Sequence, residues 1–493
     1  MKNPTHLRYL SAVNAGLTRL LDRSIADPEE MHVLVSCQGV IARLLVADKG
    51  RAEFVRRVAE GMITWREMLA DLPATESFRY DLQSKLDTIE SDLGNSDAEA
   101  LEKIQREFSA ILEETLSDAG IAEFTRSLLD MDYAVLSSME KDFATLTNHE
   151  NDKSNSDNNK ALSAAQNDAL LNFLRETANQ TADMKLKSVS ALAGGFSKAT
   201  LKVELVNTKD FPSKIIVRHD RADSSMHTSV MDEFALLQLL HANGVKVPKP
   251  YFVDSGEVFG LPAMIVELVD GSVIADGHNF HIPPNGLEPL ALSLAEQLAK
   301  LHAVPIEHLP DAIPGRDRDN RDVLSEEIRS FRDIWEQADD IHLATNASLK
   351  WLETNLDLCG NDKVLTHGDI RFHNILVADN DISALLDWEL ASLAHPALDV
   401  AYTYQHVSQM IEWDRFLARY RECGGVSIDS ATLKFYILRC ELLTSSYLTR
   451  FMTNFVSGNS NAVELAYAGS HLRQRNIYLL AKRLQFILSG KEL

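Results

Sequence analysis

Cysteine is scarce: four residues in 493, Cys37, Cys359, Cys423 and Cys440, with no CxxC or CxC spacing among them. That excludes a disulfide framework and a sequence-evident zinc site, and it suits a reducing compartment, so a cytoplasmic location is expected. Long apolar runs are missing too. The most apolar early stretch, Met31–Ala47, is broken by His32, Gln38 and Arg43, and is too short and too polar to span a bilayer. The opening residues MKNPTHLRYLSAVNAG hold no apolar segment of signal-peptide length. Basic residues are in the minority, 49 against 72 acidic, for a formal net charge of −23. A surface of that sign argues against partners held through a phosphate backbone. Three enzymatic signatures are also absent: a GxxxxGKS/T phosphate loop, a GxSxG elbow and an HExxH zinc helix.

What is present is ordinary globular material, 45% hydrophobic and 25% charged, enough for a sizeable core and incompatible with a disordered or collagen-like chain. The length points to more than one folded unit. Residues 1–146 read as successive helices. In Arg51–Ala70, Phe54, Val58, Met62, Trp65 and Leu69 recur every three or four positions on one face, and similar patterns run through 4–24, 29–47, 98–117 and 119–145. The tryptophan and histidines there read as structural. Residues 147–164 are rich in Asn, Asp and Ser, with no large apolar residue before Leu162, and read as a flexible linker.

After a helix at about 165–180 the texture changes. Leu186–Ala193, Ala199–Val206 and Lys214–His219 are short, β-branched-rich segments separated by turn residues, as expected of three antiparallel strands. A helix over Val230–Asn243 stops at Gly244, and strands follow near Lys249–Asp254 and Ala263–Leu268. From Leu287 helices dominate, with short strands near Leu376 and Leu385. The expected organisation is a helical domain (1–146), a linker (147–164), a sheet-plus-helix lobe (165–269) and a helical lobe (270–493), an α+β protein.

The chemistry concentrates in Val364–Ala401, VLTHGDIRFHNILVADNDISALLDWELASLAHPALDVA. Asp369 is followed five positions on by Asn374, and Asp387 comes after two short strands. Phosphoryl transfer needs a carboxylate to orient and deprotonate a hydroxyl, and hard oxygen ligands to hold Mg²⁺ against phosphates. This trio supplies both.

The segment resembles the aminoglycoside phosphotransferase-like branch of the protein-kinase-like fold, which carries HGDxxxxN in its catalytic loop and a DWE-type motif further on. The resemblance implies a bilobal kinase-like domain using ATP and Mg²⁺, with Asp369 as base, Asn374 and Asp387 as metal ligands, and Arg371 beside the base. By the same resemblance, Gly194, Gly195 and Ser197 in LAGGFSK form a loop over the nucleotide, where glycine lets backbone amides approach phosphate. Lys198 stands where the family commonly has Asn. Arg218, in IIVR, holds phosphates in place of the kinase lysine, and Glu233 on the next helix pairs with it. Glu267 and Leu268, in MIVELVDG, correspond to the adenine-contacting hinge. Asp399 corresponds to a residue that braces the catalytic loop.

HGDIRFHN and LLDWELASLAHP further resemble the sub-branch of kinase domains fused to, or working beside, acyl-CoA dehydrogenases. That implies a small-molecule hydroxyl acceptor such as a hydroxyacyl-CoA, with acceptor specificity in helices at 321–335 and 429–455. The alternatives are an aminoglycoside acceptor, or a nucleotide-binding scaffold with little catalysis. The helical N-terminal domain is the expected surface for a homodimer or protein partner. His373, His395 and His406 lack metal-ligand spacing and read as structural.

Overall fold

The computed structural model describes residues 53–493 apart from 72–74, 94–97, 116–121, 148–161, 193–197, 221–228, 277–278, 281–283, 339–341, 460–468 and 470–471. The helices expected at 4–24 and 29–47 and most of the expected linker lie outside the described residues.

The apolar stripe of the first described helix, α1 (53–70), is what builds its surroundings. Phe54, Val58, Met62, Trp65 and Leu69 are all buried. Helices α2 (Glu76–Leu93), α3 (Ala98–Thr115) and α4 (Ala122–Thr147) follow. Trp65 stacks edge-on against Phe108 of α3 with ring centroids 5.2 Å apart, and its Nε1 donates to Ser127 Oγ of α4 at 3.0 Å. Helix α2 is absent from the sequence-based expectation. Its core contribution is a narrow stripe, Leu82, Leu86 and Ile89, among charged and polar neighbours.

Next come α5 (Ala164–Thr177), capped by Ser163 with Gln166 in a reciprocal capping box, and strands β1 (Lys185–Ala191), β2 (Lys198–Val206) and β3 (Lys214–Asp220). Helix α6 (Val230–Ala242), β4 (Pro250–Asp254) and β5 (Ala263–Glu267) complete an antiparallel sheet ordered β1-β2-β3-β5-β4. Alternation divides its faces. Val203, Ile215, Val217 and Ile265 share a core with Leu170 and Leu174 of α5. On β3, Ile216 and Arg218 point the other way, where Arg218 meets α6. The dipeptide strands β6 (Ala275–Asp276) and β7 (Asn279–Phe280) lead to α7 (Pro284–His302), α8 (Asn320–Glu336) and α9 (Leu343–Thr354).

Four short strands frame the segment that carries Asp369, Asn374 and Asp387: β8 (Val364–Thr366), β9 (Ile375–Ala378), β10 (Asp381–Leu385) and β11 (Ser392–Ala394). They form two antiparallel pairs, β8 with β11 and β9 with β10. Helices α10 (Ala397–Val407), α11 (Trp413–Glu422), α12 (Ser430–Val456) and α13 (Arg473–Leu488) end the chain. The α+β class, with a helical region ahead of a kinase-like sheet and helices, is the one expected from the sequence.

The described residues fall into two compact units, each assembled from separated segments. One comprises residues of Met1–Ser154, Arg321–Cys359 and Ser430–Leu493; the other comprises Asn155–Asn320 and Gly360–Asp429. Within the first, the N-terminal helices pack against α9 and α13. Asp132 Oδ2 accepts from the Ala344 amide at 3.3 Å in the first turn of α9, and Tyr133 and Tyr478 stack with centroids 5.3 Å apart. Among the described residues, no helix is long and apolar enough to cross a membrane.

Candidate active site

The loop after β8 is held from below by one carboxylate. Asp399, in the first turn of α10, is fully buried. Its Oδ2 accepts from the His367 amide at 2.8 Å and its Oδ1 from the Gly368 amide at 3.0 Å. His302 Nε2 lies 3.2 Å from Asp399 Oδ2, and His302 Nδ1 meets the Tyr420 hydroxyl at 2.7 Å. The position matched by resemblance to a loop brace thus makes those hydrogen bonds here. Gly368 has φ +82°, and a Cβ there would stand 2.4 Å from the Leu390 carbonyl oxygen, so the turn needs glycine. His367 Nδ1 accepts from the Asp369 amide at 3.3 Å, which leaves Nε2 to donate to the Leu386 carbonyl at 2.9 Å. Its ring packs on Trp388 with centroids 4.5 Å apart.

That scaffold presents Asp369. Its Oδ1 lies 3.2 Å from Arg371 Nε, and its Oδ2 accepts from Asn374 Nδ2 at 3.0 Å and lies 3.7 Å from His373 Nε2. Burial pushes the carboxyl upward, but the His373 imidazole and the Arg371 guanidinium hold it below the usual carboxylate range. These neighbours therefore favour the carboxylate form of Asp369. Arg371 also stacks over the Tyr402 ring, 5.1 Å from its centroid.

The β9–β10 hairpin brings the remaining acid alongside. Asn374 precedes β9, and its carbonyl accepts from the Leu386 amide beyond β10 at 2.8 Å. Asp387 is thereby one residue from a backbone bond to Asn374. Asn374 Nδ2 donates to both the carbonyl and the carboxylate of Asp369, which turns its Oδ1 away from that carboxylate. Asp387 has φ +65°, a left-handed conformation that a non-glycine residue adopts at a cost and that clusters at functional sites. Its side chain is 33% exposed.

Strand register delivers the cations. Arg218 pairs across the sheet with Thr200, and Lys198 with Asp220, so Lys198 and Arg218 are diagonal neighbours on one face. Both reach Glu233 of α6. Arg218 Nη1 lies 2.7 Å from Glu233 Oε1, and Lys198 Nζ lies 2.5 Å from Oε2. The other arm of Arg218 reaches Asp387 Oδ1 at 3.2 Å. Burial alone would raise the Glu233 carboxyl, yet Arg218 and Lys198 hold it below the ordinary range.

At the end of β5, the Glu267 amide already donates to the Lys249 carbonyl, and its carboxylate accepts from the Lys249 amide. Of the two hinge candidates, Leu268 is the one beyond the ladder. Gly194, Gly195 and Ser197 lie outside the described residues. The structure thus brings together Asp369, Arg371, Asn374, Asp387, Arg218 and Glu233. One neighbour and one pairing did not stand out in the sequence. His373 read as structural, and the Lys198–Glu233 pair is visible only once the β2–β3 register is known.

Comparison with known proteins agrees with this geometry. Residues 188–436, half of the chain, match the family described as phosphotransferase enzyme family. Acyl-CoA dehydrogenase family member 11 of Gallus gallus is 25% identical over 281 residues, covering 52% of this chain and 36% of that protein. The Homo sapiens protein of the same name is 27% identical over 223 residues, covering 43% of this chain and 27% of that protein. The chain thus spans about a third of the length of these relatives. The crystal structure of a candidate aminoglycoside phosphotransferase from Ralstonia eutropha superposes with a TM-score of 0.50 at 19% identity, covering 64% of this chain and 98% of that one; it shares the fold. With Asp369, its loop brace Asp399 and the Lys198–Arg218–Glu233 cluster all inside the matched span, the chain belongs to the phosphotransferase enzyme family.

Proposed function

We propose that the protein transfers the γ-phosphoryl group of ATP to a hydroxyl of a small molecule, with a hydroxyacyl-CoA or related metabolite as acceptor. The observation that carries this reading is the Asp369 carboxyl group, fixed by Asn374 and Arg371 on a loop whose amides are tied to Asp399. Asp369 orients the acceptor hydroxyl and takes its proton. Arg218, anchored by Glu233, directs a guanidinium arm to the side where phosphates would lie, and we assign the Leu268 backbone to the adenine edge.

Asn374 and Asp387 are hard oxygen donors that suit Mg²⁺. Among the described residues, no group of three or more His, Cys, Asp or Glu side chains is arranged to hold a metal. One amide and one carboxylate leave coordination positions that phosphate oxygens would fill. Bound there, Mg²⁺ would neutralise charge spreading over the transferred group.

The names of the curated relatives favour an acceptor from acyl-CoA chemistry, whereas the Ralstonia eutropha likeness is one of fold and carries no acceptor. A non-catalytic scaffold is disfavoured, because base and both oxygen donors are present.

The test is thermal unfolding with ATP, with and without Mg²⁺, on the wild type and on Asp387→Asn, followed by phosphate transfer to hydroxylated acyl-CoAs and aminoglycosides. ATP at a hundredfold excess over Kd stabilises by about 2.7 kcal/mol. A magnesium-dependent shift lost in Asp387→Asn, with turnover on an acyl-CoA alcohol, is the expected result. No shift with any nucleotide would overturn the reading.

A further inference from the structure

Glu233 is one carboxylate serving two cations. Lys198, 2% exposed at the first position of β2, holds Oε2, Arg218 holds Oε1, and the Trp388 backbone adds a further hydrogen bond. With both oxygens taken, Arg218 spends one arm on Glu233 and the other on Asp387. An arginine facing a carboxylate alone prefers to engage both oxygens with its planar fork. Without Lys198, the second arm of Arg218 would be drawn from Asp387 onto Glu233.

We propose that Lys198 is a positioning residue for the nucleotide: by occupying one oxygen of Glu233, it keeps an arm of Arg218 directed at Asp387 and at the phosphates that this side of the site receives. Being buried, Lys198 acts through Arg218 and does not touch the phosphates itself. The local charges fit such a role. Lys198 and Arg218 face Glu233 and Asp387, with the Glu389 carboxylate also acting on Arg218. The inference rests on the phosphotransferase reading of the same site and adds a residue to it.

The test compares Lys198→Met, which keeps an apolar stem without the charge, with Lys198→Arg, which restores a cation. Equilibrium binding of a fluorescent ATP analogue is measured with no acceptor present. Steady-state kcat and KM for ATP, and the unfolding temperature of the ligand-free protein, are measured alongside. Lys198→Met is expected to weaken nucleotide binding and raise KM for ATP about tenfold, with kcat within about threefold, and Lys198→Arg to recover most of the loss. A merely structural lysine would lower the unfolding temperature of Lys198→Met while nucleotide affinity of the folded protein stayed at the wild-type value, and that outcome overturns the proposal. Should Lys198→Met not fold, Lys198→Ser leaves room for water against Glu233 and carries the same two outcomes. If the wild type binds no nucleotide, or Asp387→Asn keeps its turnover, the functional reading itself fails. If the wild type binds and Lys198→Met binds equally, only the role of Lys198 fails.

Discussion

The Asp369 carboxyl is set by a contest between burial and two neighbouring side chains, His373 and Arg371, and that contest sets a pH dependence. The folded-state carboxyl lies below its usual range because His373 and Arg371 outweigh burial. Replacing Arg371 by Met removes one of those supports, so the Asp369 pKa rises and the acid limb of kcat/KM moves to higher pH. A pH–rate profile of Arg371→Met whose acid limb stays in place would show that another group titrates. Asp399 is a structural counterpart. It is fully buried and accepts from two backbone amides and from the His302 ring. Asp399→Asn keeps the shape but turns an amide group toward one of those donors. Leaving a buried donor unsatisfied costs about 1–3 kcal/mol, which a lowered urea midpoint would register.

The β9–β10 hairpin is the element on which the site depends, because it places Asp387 beside Asn374. Its two-residue turn, Asp379-Asn380, has φ +52° and φ +61°, the left-handed pair that matches the twist of a tight hairpin. Alanine tolerates that conformation poorly. Asn380→Ala is expected to cost about 1–2 kcal/mol and to lower turnover by loosening Asp387; unchanged stability with unchanged turnover would count against the coupling. Elements of this kind were legible when their own residues carried the signal. The strands of the sheet, α6 and the β9–β10 hairpin were foreseen from short apolar segments and the turn residues between them, and the candidate site from the HGD–Asn–Asp spacing. Helix α2 escaped notice because its buried stripe is narrow and interrupted by charge. The β8–β11 pair escaped because three residues per strand is too short for alternation to show. The Lys198–Glu233 contact lies 35 residues apart in sequence and follows from strand register, which no local pattern encodes.

For the molecule as a whole, the N-terminal helices and the later helices α9 and α13 belong to one compact unit. Three segments, Met1–Ser154, Arg321–Cys359 and Ser430–Leu493, make up that unit. We therefore predict that a chain beginning at residue 148 exposes the apolar faces of α9 and α13, binds a hydrophobic dye and loses cooperative unfolding. A truncated monomer with the wild-type unfolding temperature would contradict this. Trp65 offers a milder probe. It is 1% exposed and bonded to Ser127, and Trp65→Ala should cost about 3–5 kcal/mol by chemical denaturation. The interleaved segments also bear on how the protein is made. At ~5–20 residues per second, α4 leaves the ribosome about 20–70 s before α13, its partner in the finished unit, has been synthesised. Throughout that interval the part of its face that α13 covers lacks its native partner, which leaves that stretch open to chaperones until α13 arrives.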